Sequence, residues 1–190
     1  FVLDVSGSMK GDRLSDLKQA MFNLAGADKS ITGRFARFRA REQVVIQPFS
    51  GQPFPPETFV IQSGAGSDPE LKKLRNKIES LIANGGTAIY SSLAQAYQIA
   101  VKAKQEDPDR FYSIVLMSDG ANTSGMDLQR FEQIYRANHD EFASIPTFPV
   151  IFGKAETKEM HHVAELTGGR AFDSRKHSLS VVFKKIRGYQ

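Results

Sequence analysis

Asp4, Ser6 and Ser8 stand at alternate positions in "DVSGS" (4–8), directly after a short apolar run and just before a helical pattern. Two further segments share their chemistry: "GGT" (85–87), which ends in Thr87, and "SDG" (118–120), which carries Asp119. These five side chains offer only oxygen, as carboxylate from the aspartates and neutral hydroxyl from the rest. Hard divalent cations take oxygen ligands. Mg²⁺ wants six in near-octahedral geometry at about 2.0–2.1 Å and usually keeps some waters. If the hydroxyls of Ser6, Ser8 and Thr87 bind directly while one or both carboxylates act through water, the ion keeps much of its charge. It then seeks an anionic ligand from outside, such as an Asp or Glu of another molecule. That is binding chemistry, and it needs no catalysis.

Plainer readings exist for each residue alone. Ser6 or Ser8 can cap a helix near Asp12, Thr87 can cap the helix after it, and Asp119-Gly120 can be an ordinary turn. Caps do not explain an acidic residue at the end of two apolar strands, because neighbouring carboxylates raise each other's pKa unless a cation lies between them. The enzymatic alternative makes Asp4 the nucleophile of a phosphoryl-transfer site. Phosphatases of the haloacid-dehalogenase kind carry a second Asp two residues on as general acid. Here Ser6 holds that place, and a hydroxyl supplies no proton near neutral pH. "DVSGS" is not a Gly-x-Ser-x-Gly elbow, and "GGTAIYSS" lacks the lysine of a phosphate-binding loop. His161, His162 and Glu165 read as a surface helix rather than a zinc site. "NTS" (122–124) matches a glycosylation acceptor beside Asp119.

The elements that must position these residues follow from hydrophobic periodicity. "FVLDV" reads as a buried strand, and Leu14, Leu17, Met21 and Leu24 as one face of a helix ending near Gly26. "VVIQPF" (44–49) and "TFVIQ" (58–62) read as strands, close enough for an antiparallel hairpin. "SDPE" (67–70) starts a helix with Ser67 or Asp68 as cap, whose buried face is Leu71, Leu74, Ile78, Leu81 and Ile82. The next helix buries Ile89, Leu93, Ala96 and Ala100. "FYSIVLMSDG" (111–120) is apolar without alternation, as in a central parallel strand. A helix from about Asp127 to Asn138 follows. Then come a strand at "TFPVIFG" (147–153), where Pro149 implies a bulge or early-strand position, and a helix near 156–167. A short strand at "RAFD" and a helix over 179–186 close the chain, the latter with Val182, Phe183 and Ile186 inward. Strand–helix alternation with one hairpin means an α/β domain with a mostly parallel sheet covered on both faces. In such a sheet, sites form at the carboxyl ends of strands where strand order reverses. If the first and fourth strands are neighbours there, Asp4, Ser6, Ser8 and Asp119 converge, and Thr87 reaches the same crevice.

Bulk composition agrees. The 190 residues are 41% hydrophobic and 24% charged, which suits one globular domain spanning 1–190. The absence of cysteine excludes disulfides and thiolate zinc sites. No apolar stretch approaches the roughly 18 residues of a membrane span. The chain starts at Phe1, already inside a strand-like run, and is read as a domain excised from a longer protein. Any membrane association is expected through parts outside this sequence. Basic residues gather at both ends: residues 1–41 hold eight Lys/Arg against four Asp/Glu. "GRFARFRAR" (33–41) is taken as a solvated connection rather than a nucleic-acid surface.

The three segments resemble the metal-ion-dependent adhesion site of von Willebrand factor type A domains, relatives of the integrin inserted domain. The shared pattern is Asp-x-Ser-x-Ser after the first strand, a Thr after paired glycines, and Asp-Gly after the fourth strand. Asp4, Ser6, Ser8, Thr87 and Asp119 fill all five places. The resemblance implies a doubly wound, Rossmann-like fold: a mostly parallel six-stranded sheet with one antiparallel edge strand and helices on both faces. It also implies a Mg²⁺ site, with Mn²⁺ or Ca²⁺ as substitutes, and a non-enzymatic module whose ion coordinates an acidic residue of a partner protein. Nearby Met9, Gly86, Ala121, Asn122 and Thr123 would set partner choice. "GGRAFD" and the final helix look most like bacterial members, which points to the cell envelope. A metal-stabilised structural module that binds nothing in trans is the remaining alternative.

Overall fold

Short apolar runs become strands and longer periodic ones helices in the computed structural model, which describes residues 1–152, 157–174 and 179–188. In chain order the elements are β1 (Val2–Asp4), α1 (Asp12–Phe22), α2 (Ile31–Ala36), β2 (Gln43–Phe49), β3 (Glu57–Val60), α3 (Pro69–Glu79) and α4 (Ile89–Glu106). They continue with β4 (Ile114–Ser118), α5 (Leu128–Ala137), α6 (His139–Phe142), β5 (Thr147–Ile151), α7 (Thr157–Leu166), β6 (Phe172–Asp173) and α8 (Leu179–Gly188). The strands form one sheet in the order β3-β2-β1-β4-β5-β6. Every pairing is parallel except the β2–β3 hairpin at one edge. This is the doubly wound α/β arrangement expected from the sequence.

The sheet separates two apolar layers. Leu3, Met117, Phe148 and Val150 pack with Leu17 and Met21 of α1, Leu74 and Ile78 of α3, and Val182, Phe183 and Ile186 of α8. Their strand neighbours Val2, Leu116 and Ile151 point the other way, onto Ile89, Leu93 and Tyr97 of α4, Phe131 of α5 and Val163 of α7. Both faces are covered, which is why β4 reads as an unbroken apolar run. The chain leaves β1 for β2 on one side and later returns to β4 on the other, so strand order reverses at β1.

Several expectations need correction. "GRFARFRAR" is not a plain connection: α2 lies in its first half, its start capped by Ser30, whose Oγ accepts from Gly33 N–H at 3.0 Å. Ala36 and Phe38 are buried there. Helix α3 ends at Glu79, so Ile82 lies beyond it and is 80% exposed instead of in the core. Thr87 is not the cap of α4. Ala88 holds that position without a side-chain bond, and Ile89 N–H donates to Asn122 Oδ1 at 2.9 Å.

Pro149 sits in regular register opposite Leu116, with no bulge. Ile114 N–H donates to Pro146 and Phe152 N–H to Ser118, so the even residues of β5 face β4 and Pro149 faces the β6 side. There β6 pairs only with Val150 and Ile151, so no ladder donor is demanded of Pro149.

The loop before α3 is tied down by Asp68, which is 1% exposed. Its Oδ2 accepts from the N–H groups of Gln62, Ser63 and Gly64, and its Oδ1 from those of Glu70 and Leu71. Burial pushes this carboxyl up, but the backbone donors outweigh burial and hold it at about 2. The folded pKa therefore lies below the unfolded value, so the contribution to stability is full above pH 4 or so and is lost as pH falls toward 2. Asp68→Ala is expected to cost about 2 kcal/mol in urea unfolding at pH 7, through the lost cap and stranded N–H groups. That deficit should shrink as pH is lowered through this window.

Candidate metal centre

Parallel pairing sets Val2 beside Leu116 and Leu3 beside Met117. One step further, β1 and β4 end together, and Asp4 meets Ser118: Ser118 Oγ donates to Asp4 Oδ2 at 2.5 Å. The other oxygen, Oδ1, accepts from Ser6 N–H at 2.8 Å. Asp4 is fully buried. Burial pushes its carboxyl up, the bonds from Ser118 and Ser6 pull the other way, and the charge of Asp119 adds to the rise. Ser118 was not among the residues singled out from the sequence. Residue alternation places it on the same sheet face as Asp4, but only once the strand register is known.

Beyond Asp4 the chain forms a short 3-10 turn over Gly7–Met9. The turn carries Ser6 and Ser8 across the strand ends: their Oγ atoms lie 3.0 Å apart, and Ser8 Oγ donates to Asp119 Oδ1 at 2.8 Å. Neither serine caps α1. Gly11, with φ of 82°, occupies that position without a side-chain bond. Thr87 comes from a third loop and is 5% exposed. A Cβ built on Gly120 would lie 3.5 Å from Ser8 Oγ and 3.9 Å from Thr87 Oγ1, so both hydroxyls border the same spot. Among the described residues Thr87 Oγ1 has no hydrogen-bond partner.

Backbone bonds hold the loops in place. Gly7 N–H donates to Gly85 C=O at 2.9 Å, Asn84 N–H to Val5 C=O at 2.8 Å, and Ala88 N–H to Ser50 C=O at 2.7 Å. Thr87 C=O accepts from Thr123 N–H at 2.8 Å, while Thr87 N–H donates to Thr123 Oγ1 at 2.9 Å. Gly86 packs closely, since a Cβ there would meet Ser124 Oγ at 2.5 Å and that hydroxyl would have to turn away.

The donor set matches a hard divalent ion. An octahedron with ligands at about 2.0–2.1 Å has edges of about 2.9 Å. The Ser6–Ser8 and Ser8–Asp119 oxygen spacings of 3.0 and 2.8 Å are edges of that length. Among the described residues no three His, Cys, Asp or Glu side chains gather, so zinc-type clusters are absent there and His162 instead pairs with Glu132 at 2.6 Å.

The residues expected to face a partner divide. Ala121 and Thr123 are exposed and Gly86 half-buried. Met9 is fully buried in the core below the turn, so its side chain cannot reach a partner. Asn122 is committed internally: besides capping α4 it donates from Nδ2 to Met126 C=O at 2.9 Å. A glycan on that nitrogen would break the loop. One contact had no counterpart in the sequence reading. Arg13, in the first turn of α1, donates from Nη1 to Asp119 Oδ2 and to Ser8 C=O.

A family model for the von Willebrand factor type A domain matches residues 1–122. The chain belongs to this family. Inter-alpha-trypsin inhibitor heavy chain H4 of Sus scrofa is 29% identical over 128 residues, which are 66% of this chain and 12% of that protein. Among solved structures, von Willebrand factor type A from Catenulispora acidiphila has a TM-score of 0.69 at 20% identity, over 97% of this chain and 40% of that one. Proximal thread matrix protein 1 of the mussel byssus, with a zinc-occupied MIDAS motif, has a TM-score of 0.62 at 16% identity, over 97% and 45%. At these identities the structural likeness speaks for the fold. The chain spans less than half the length of each of these proteins.

Ser118→Ala is expected to destabilise the metal-free domain by about 1–3 kcal/mol in urea unfolding, because buried Asp4 Oδ2 loses its donor. Ser8→Ala takes a hydroxyl donor from the buried Asp119 carboxylate, whose other oxygen keeps Arg13, and should cost about 1–2 kcal/mol. No loss from Ser118→Ala would mean that Asp4 is not held as described.

Proposed function

We propose that this chain is a non-enzymatic protein-binding module. Asp4, Ser6, Ser8, Thr87 and Asp119 hold a divalent ion, Mg²⁺ first with Mn²⁺ or Ca²⁺ as substitutes, and that ion anchors an Asp or Glu carboxylate of a partner protein. The observation that carries this reading is that Asp4, Ser6, Ser8 and Asp119 meet at adjoining strand ends, with the Ser6–Ser8 and Ser8–Asp119 oxygens at spacings that fit octahedral edges. Neutral hydroxyls supply much of the set, so the ion would remain electrophilic when bound. Nothing in the arrangement supplies a proton donor where Ser6 stands, which weighs against phosphoryl transfer from Asp4.

Family membership and the metal-occupied motif of the mussel protein support a metal role, and that protein's place in a byssus matrix supports an extracellular or envelope setting. Among the described residues no helix is long and apolar enough to cross a membrane. Gly86, Ala121 and Thr123 form the rim that would meet the partner, with the Thr123 hydroxyl already engaged by Thr87 N–H.

Calorimetric titration tests the reading. Mg²⁺ and Mn²⁺ should bind the wild type, and Asp4→Ala should weaken binding beyond the about 10–100-fold typical of an outer-shell partner. Ion at about 100 times its Kd should add about 2.7 kcal/mol to stability. Absence of any uptake would overturn the metal site. Uptake that stabilises the fold but creates no affinity for an acidic peptide would reduce it to a structural site.

A further inference from the structure

Arg13 bridges the candidate centre and solvent. Its Nη1 donates to Asp119 Oδ2 and, at 3.1 Å, to Ser8 C=O. The Asp119 side chain is fully buried while that of Arg13 is 42% exposed. Among the described residues the remaining guanidinium N–H groups, on Nε and Nη2, have no partner. The arrangement is thus a fixed cation clamped to one of the two carboxylates, with unused donors at the surface.

The charge balance gives this clamp a definite consequence. Asp4 and Asp119 alone would present two negative charges, enough to neutralise a divalent ion. With Arg13 bonded to Asp119 the protein side carries one, so a bound ion keeps a net positive charge toward solvent. The same guanidinium therefore acts with opposite signs on two equilibria: it repels the incoming ion and attracts the incoming anion. A planar guanidinium is also suited to take the second oxygen of a carboxylate whose first oxygen is held elsewhere.

We propose that Arg13 is a specificity-determining residue of this site: by neutralising Asp119 it loosens the hold on the divalent ion and tightens the hold on the partner's carboxylate. This rests on the metal-anchored binding reading above. It goes beyond it by assigning a residue outside the oxygen set, and by predicting that ion affinity and carboxylate affinity move in opposite directions when that residue is changed. A plain staple between α1 and the β4 loop would move neither in that way.

The test uses wild type, Arg13→Gln, Arg13→Lys and Arg13→Met at low ionic strength, where a half-exposed charge is least screened. Mn²⁺ affinity is read by calorimetry. Binding of acetate to the Mn²⁺-loaded protein is read by paramagnetic relaxation of the acetate methyl protons. Arg13→Gln should bind Mn²⁺ about tenfold more tightly and acetate about tenfold more weakly. Arg13→Lys, which keeps the charge, should stay within about threefold of wild type for the ion. Arg13→Met keeps most of the apolar stem and should repeat the glutamine result, so one misfolded variant does not decide the matter. Unchanged affinities in both neutral variants, or changes of the same sign, would overturn the proposal. Wild type that takes up no Mn²⁺ would instead overturn the metal site on which the proposal rests.

Discussion

The constraint on which the structure depends is the parallel pairing of β1 with β4. It brings two aspartates to adjacent strand ends inside a protein that covers both faces of its sheet. Buried like charges are costly, and each is met in a particular way. Asp4 takes a hydroxyl from Ser118 and an N–H from Ser6. Asp119 takes a hydroxyl from Ser8 and a guanidinium from Arg13. The donors come from β4, from the turn after β1 and from α1, so the site ties these elements together. The core on either side of the sheet can be built from many apolar residues, but this junction cannot.

The loops around the junction contribute rigidity more than chemistry. Gly7 against Gly85, Ala88 against Ser50 and Thr87 against Thr123 are backbone or backbone-to-hydroxyl bonds that fix four loops on one another. Fixing oxygen donors in advance lowers the entropic penalty of gathering them around a ligand. The close approach of Gly86 to the Ser124 hydroxyl is part of that packing.

Much of this was legible in the sequence because period and chemistry coincide. Each strand is a short apolar run, and each carboxylate follows one, so the crevice at the switch point could be anticipated from Asp4 and Asp119. The rest depends on facts that a linear pattern does not carry. Ser118 matters through register, which decides that it faces Asp4 and not the opposite layer. Arg13 matters because α1 begins at Asp12, so its first turn lies over the strand ends. Met9 looked like a loop residue near the site, yet the 3-10 turn rotates it into the core. Asn122 looked like a surface acceptor, yet both ends of its amide are spent inside. Ile82 continued a helical period beyond the helix itself.

Pro149 carries a consequence for how the molecule behaves among its copies. The short β6 leaves the start of β5 without a strand neighbour on that side, and such an open margin invites strand addition from another chain. Here Thr147 N–H is already taken by Thr167 Oγ1 at 3.2 Å, and the proline two residues on has no hydrogen to give. Gly169 presses its backbone against Thr147 C=O, where a Cβ would come within 1.9 Å. An intruding strand would find neither donors nor room beside Thr147 to Pro149, so this stretch of β5 is closed to strand addition.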